Sequence, residues 1–510
     1  MWLRRGSGRV LGVGVLLVVG VLSWASASVG SVRAVGTITE YPLPSGSGNE
    51  SSITFGADAR LWFPESFHDQ VGAVTTKGVI SSYPLASGSA VYGSRLGPDG
   101  NLWLAEHDGR KIGVMTTGGV LLTEYPTPGS QPYDISGGAD GNLWWTDEEF
   151  GVGKIDKITT SGTLTPYSGL TSFPRQITAG PDGNLWFSES YNGGNSKIGR
   201  ITPAGTVAEF ALPNALSGPF GIAAGPDGNI WFTEQAATAN KIGKITPTGT
   251  ITEYAVPTAN ASAEYIAAGP DGNLWFTEQG ANKVGRITPT GTITEFPVPS
   301  PSAGPIGITI GPDGNMWFLE GNQHKVARIT VAASGTAYAL VSDAGLIAKT
   351  IKLKKQGMTV EWVFEGPSVH TVTDSSGMGL FGSGDHGVVS YYSFAFPAAG
   401  SYPFHDSHNG KVKGTVAVPI TVTTPSPNQA TVTWSSGPAP AGYVFDAQVE
   451  QPGSTSFLDW KVSQTSTSAS FGPGDPLYLG PGTYGFHARL RKLANGAASG
   501  YSATKQATLT

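Results

Sequence analysis

Seven carboxylates recur at one position of a repeated phrase: Glu65, Glu106, Asp147, Glu189, Glu234, Glu278 and Glu320, each three residues beyond a tryptophan. Like charges gathered on one ring call for a bound cation or for local counter-charges, because each ionised carboxylate makes its neighbour harder to ionise. Lys111, Lys154, Lys197, Lys241, Lys283 and Lys325 follow in nearly every repeat, so structural ion pairing accounts for the ring without a metal. His107 and His324 read as isolated, solvated loop residues. The chain has no Cys, which removes every thiolate nucleophile and every thiolate metal site.

The elements that position these groups come from the repeat itself. Its tryptophans are Trp62, Trp103, Trp144, Trp186, Trp231, Trp275 and Trp317, at intervals of 41, 41, 42, 45, 44 and 42 residues. That period is the length of one four-stranded propeller blade, so seven copies predict seven blades. The fifth copy shows four short runs of alternating polarity, residues 221–224, 230–234, 241–246 and 250–256. Between the first two, Pro226-Asp227-Gly228-Asn229 has hairpin chemistry: Pro presets φ, Asp bonds its own backbone and Gly takes positive φ. The seventh copy lacks a fourth strand, whereas residues 36–44 near the N-terminus carry one, Thr37-Ile38-Thr39-Glu40-Tyr41. The N-terminus is therefore expected to complete the last blade, closing the ring and removing two exposed edges.

The first strand of a propeller blade faces the central channel, so one register position can be read in every copy. It predicts a channel mouth of Ser51, Tyr92, Tyr133, Arg175, Phe220, Glu264 and Ile306. Three aromatics with one Arg and one Glu either bind a ligand by stacking and a few oriented polar contacts, or simply fill the pore.

The tryptophan repeats, with third strands such as Asn282-Lys283-Val284-Gly285-Arg286-Ile287-Thr288, resemble the virginiamycin B (streptogramin B) lyases over roughly residues 36–330. The resemblance implies a propeller that opens a cyclic depsipeptide by elimination, with a magnesium ion and histidines on the innermost strands of the last two blades. Its motif there is Pro-His-x-Ile, with one metal Glu two residues before the last His and another after the last Trp. In this chain Gly304 stands at the first metal position and Ile306 at the catalytic His position. Glu264 occupies the other His position, and Glu320 matches the second metal carboxylate, so the catalytic candidates reduce to Glu264 and Glu320.

Beyond residue 335 the repeat ends. The segment around Ser368-Val369-His370-Thr371-Val372 and Tyr402-Pro403-Phe404-His405 resembles a cupredoxin domain, in which His370 and His408 match the two imidazole ligands. A blue copper centre needs a thiolate that this chain lacks. Imidazole and carboxylate do suffice for type 2 copper or zinc, so His370, His405, His408 and Asp406 form a possible metal set; a domain that has lost its metal is the other reading. A Thr-Pro-Ser-Pro stretch, residues 424–427, reads as a linker to a segment similar to a fibronectin type III sandwich, with Tyr484 placed as a tyrosine corner.

The chain begins with Arg4 and Arg5, an apolar run over residues 10–24, and Ala25-Ser26-Ala27, the form of an export signal. A formal net charge of −6 with no basic run offers no footprint for nucleic acid or an anionic membrane. The expectation is an all-β protein: signal peptide at residues 1–34, seven-bladed β-propeller at 36–333, cupredoxin-like β-sandwich at 338–421 and fibronectin type III-like β-sandwich at 428–510. It is read as secreted, without a membrane span in the mature form, and as binding an extracellular small molecule, peptide or glycan. The alternatives are a magnesium-dependent carbon–oxygen lyase and a copper-binding protein.

Overall fold

Each copy of the tryptophan phrase folds into four antiparallel strands. The computed structural model describes residues 35–44, 51–148, 153–190, 195–331, 336–347, 349–387 and 389–510; the export signal read over residues 1–34 lies outside them. In the fifth copy the strands are Pro219–Ala224, Ile230–Glu234, Lys241–Ile245 and Ile251–Ala255. The hairpin turn between the first two does more than reverse the chain. Asp227 Oδ1 accepts the indole N–H of Trp231 at 3.0 Å, and Gly228 sits at a φ of 75°. Trp231 is fully buried, stacked 5.7 Å from Tyr254 of the outer strand, with the Lys244 ammonium 5.0 Å from its ring centre. A Cβ on Gly225 would meet the indole at 2.4 Å, so only glycine lets the backbone lie on the ring. The recurring phrase thus encodes a lock for one indole in each sheet.

Seven four-stranded sheets of this kind occur among the described residues, giving the chain the repeated architecture of a propeller. The last is completed from the N-terminus: Ile38–Pro42 pairs antiparallel with Lys325–Ile329, as the missing fourth strand predicts. Tyr41 stacks on Trp317 at 5.5 Å, and Glu40 binds Lys325 at 3.0 Å and the Ser300 backbone N–H at 2.9 Å. On either side of this joint, Phe296 covers the turn at Gly36 and Tyr41 covers the turn at Gly78, the same contact that Tyr83 makes with Gly119 inside the ring.

The C-terminal part is also built of strands. One pair of four-stranded sheets includes the parallel partners Thr336–Ser342 with Met358–Phe364 and Thr350–Lys352 with Lys413–Val418. A three-stranded and a four-stranded sheet follow. One apolar cluster runs through both, from Trp362, Phe396 and Tyr402 to Trp434, Phe471 and Phe486. Thr424, Pro425 and Ser426, expected as linker, instead continue the strand Thr421–Ser426, so the two units join without a free tether. The Tyr484 hydroxyl donates to the Gly480 carbonyl at 2.9 Å. Among the described residues no helix is long and apolar enough to cross a membrane.

Candidate channel-mouth site

The innermost strands carry an irregularity that alternation alone does not reveal. Pairing with the second strand slips at Val91/Gly93, Pro132/Ile135, Pro174/Ile177, Pro219/Ile222 and Ala263/Ile266. The slipped positions hold Tyr92, Tyr133, Arg175, Phe220 and Glu264. Bulges of this sort free a residue from the ladder and re-aim its side chain. The second strands then fix the bulged backbone: Thr146 Oγ1 donates to the Arg175 carbonyl at 2.7 Å, and Thr233 Oγ1 to that of Glu264 at 2.7 Å. Ile306 departs from the expected ring, because it is buried against Phe63 and Leu319.

The mouth residues meet across the channel. Tyr92 and Tyr133 lie edge to face at 5.7 Å, Tyr133 and Phe220 at 6.4 Å, and Phe220 and Tyr265 at 5.4 Å. Tyr265 was not among the mouth residues expected from the sequence; it follows Glu264 in the same bulge. Arg175 lies 5.8 Å from the Tyr133 ring centre, pairs with Glu148 and donates to Ser190 Oγ at 3.2 Å. His107 is not a solvated loop residue: it stacks on Tyr92 at 4.5 Å and bonds Asp108 through Nδ1 at 2.7 Å. The Glu264 carboxylate, unlike its backbone carbonyl, forms no hydrogen bond or ion pair among the described residues, and burial alone raises its pKa to about 7.

Below the mouth the seven innermost strands enclose a cavity of about 120 Å³, with Asp134, Gln176 and Tyr265 on its wall. Its other end is lined by Glu365, Gly366, Pro367 and Val389 from the C-terminal part. That contact is continued by Tyr391, whose hydroxyl donates to the Gly269 carbonyl at 2.8 Å, and by the Lys411 ammonium on the Pro98 carbonyl at 3.0 Å.

The carboxylate ring is neutralised differently from the sequence expectation. Lys111, Lys197, Lys283 and Lys325 bind outer-strand carboxylates, Glu124, Glu209, Glu295 and Glu40, at 3.1, 2.6, 2.7 and 3.0 Å; Lys241 pairs with Glu253 likewise. In the third repeat the expected pairing is kept, with Lys154 3.6 Å from Asp147. The inner glutamates are fully buried, and the carboxyl oxygens of Glu189, Glu278 and Glu320 meet no donor. Burial first, and the adjoining outer-strand Glu second, raise these three to about 9, 8 and 8. They are therefore neutral acids near neutral pH.

Glu320 belongs to this packing series, held beside Glu40 and Lys325, and nothing links its titration to that of Glu264. Gly304 takes a φ of 59°, and a Cβ there would lie 2.4 Å from Asn322 Nδ2. The side chains at these positions do not fit a magnesium site.

The possible metal set of the C-terminal part is also spoken for. His370 is 1 % exposed, with Nδ1 2.7 Å from Asp406 and Nε2 2.9 Å from Asp343. Burial disfavours its charge, but the two carboxylates outweigh burial and raise its pKa. His405 bonds Ser375 at 2.7 Å and His408 bonds Asp385 at 2.8 Å. No group of three or more His, Asp or Glu among the described residues is arranged to hold a metal ion, so these residues do not fit a type 2 copper or zinc centre. Asp343 and Asp385, which decide this, lie 27 and 23 residues from their histidines in sequence.

The model of the virginiamycin B lyase family matches residues 21–171, 92–195 and 126–363 in overlapping segments, more than half of the chain. The chain belongs to the virginiamycin B lyase family. A streptogramin B lyase structure is 36 % identical over 58 % of this chain and 98 % of its own, with a TM-score of 0.54. The virginiamycin B lyase from Staphylococcus aureus gives 36 % identity, 58 % and 99 % coverage and the same TM-score of 0.54. So does a catalytically inactive His-to-Ala variant of that enzyme with quinupristin, at 36 % identity, 58 % and 99 % coverage and TM-score 0.54. No curated protein matches the chain. Against this virginiamycin B lyase framework, Gly304 and Ile306 stand where the sequence resemblance places a metal Glu and a catalytic His.

Proposed function

We propose that the protein is an exported, extracellular binding protein: a seven-bladed propeller that takes a ligand at its channel mouth, followed by two β-sandwich bodies. The observation that carries this reading is the mouth itself, where bulged strands aim Tyr92, Tyr133, Arg175, Phe220 and Glu264 at one another while Ile306 is withdrawn into the core. Residues 338–421 are read as cupredoxin-like without a copper role, and 428–510 as fibronectin type III-like, with the Tyr484 hydroxyl bond to the Gly480 carbonyl in support.

Family membership favours a second reading, a magnesium-dependent carbon–oxygen lyase. Elimination needs a proton acceptor, and loss of a general base costs about 10²–10⁴-fold in rate. Incubation with a streptogramin B antibiotic and magnesium, followed by mass spectrometry, separates the two. The binding reading expects an intact ring, and rapid magnesium-dependent opening that Glu264→Ala abolishes overturns it.

A further inference from the structure

We infer that the channel mouth selects a ligand through a protonated amine carried on an aromatic or aliphatic body, with Glu264 as the counter-ion and Tyr133, Phe220 and Tyr265 as its wall. The inference rests on reading the mouth as a binding site and names what that site prefers.

Charge at the mouth is unbalanced. Its guanidinium, Arg175, is committed to Glu148 and Ser190 and lies over Tyr133. The third-strand lysines at positions 111, 197, 241, 283 and 325 are held by outer-strand glutamates. Among the described residues the Glu264 carboxylate is left with no cation and no hydrogen-bond donor, although its charge acts on both Tyr133 and Tyr265. A half-buried carboxylate with no partner in the protein is costly to ionise, and a ligand that brings a cation to it relieves that cost.

The surroundings fit the same ligand. Phe220 stands between Tyr133 and Tyr265, at 6.4 and 5.4 Å, each pair edge to face. Aromatic faces carry negative potential, so they attract an ammonium group and repel an anion. Gly221 lets the two strands close up here: a Cβ on it would lie 2.2 Å from the Glu264 carbonyl. On the cavity wall below, Asp134 faces the charge of Arg95, so the uncompensated carboxylate is the one at the mouth.

Calorimetry on the full chain with tyramine and with 4-ethylphenol, which share a ring and differ in the amine, tests the inference. Tyramine is expected to bind about tenfold or more tightly than 4-ethylphenol. Glu264→Gln should abolish that preference by weakening tyramine binding to the level of 4-ethylphenol, and Phe220→Leu should reduce it. Equal affinity for both probes, or an undiminished preference in Glu264→Gln, overturns the amine inference and leaves the mouth a binding site. Binding of neither probe at millimolar concentration overturns both readings. Magnesium uptake that Glu264→Gln removes, with no tyramine binding, replaces the amine by a metal ion.

Discussion

Protonation is the least costly way to bury a carboxyl group beside an ionised one, and the inner glutamates use it repeatedly. Glu320, raised to about 8, sits against Glu40, whose own pKa is lowered because bonds from Lys325 and Ser300 outweigh its burial. A folded pKa above the unfolded one means that the folded state holds the proton more tightly. The stability this contributes is complete below the ordinary value of 4.5 and is lost as pH rises through about 8. Glu40 runs the opposite way, contributing above 4.5 and losing as pH falls below it. Denaturant unfolding across pH should therefore show greatest stability in mild acid and a decline toward about pH 9, the range set by Glu189, Glu278 and Glu320. Glu320→Gln, a neutral isostere, should keep Tm within about 2 °C in mild acid and flatten part of that decline. Gly304→Glu is expected to cost about 1–3 kcal/mol, because a side chain there takes a left-handed φ and meets Asn322. A Gly304→Glu variant as stable as the parent would show that the position still accepts a ligand carboxylate.

At the scale of elements, the strand Ile38–Pro42 fastens the first sheet to the last, stacking Tyr41 on Trp317 and giving Lys325 its carboxylate. Deleting residues 36–44 strips these contacts and exposes two edges, so Tm should fall by about 5 °C or more and the protein should self-associate. Unchanged melting of a monomeric variant would refute the closure. This strand was legible because its motif is missing at one end of the repeats and present at the other. The bulged register position was legible for the same reason in five copies, Tyr92, Tyr133, Arg175, Phe220 and Glu264, whereas Ile306 leaves it. Glu148, Ser190 and Tyr265 were not, since two come from the ends of second strands and one from inside a bulge, where alternation no longer says which way a side chain points. The lysine pairing was misread because sequence proximity could not distinguish the carboxylate beside Lys283 on the inner strand, Glu278, from the one on the outer strand, Glu295. His370 looked like a metal ligand because its partner Asp343 comes from a different hairpin.

Across the whole molecule, the C-terminal part covers one end of the propeller with an apolar seam that includes Leu340, Ile347 and Val363 against Phe55 and Ile310. Residues 35–331 expressed alone should therefore bind a hydrophobic dye more strongly than the full chain and melt at a lower temperature. Equal dye binding would mean that the seam contributes little. The loop of Glu365, Gly366 and Pro367 at the base of the cavity also decides how anything can travel through the ring. A tube with a floor has one doorway, by which a guest must both arrive and depart. If the ligand proposed for the mouth belongs to a polymer, such a floor favours an end group over a stretch of mid-chain, and the chemistry of the last unit then counts for more than the length of the chain.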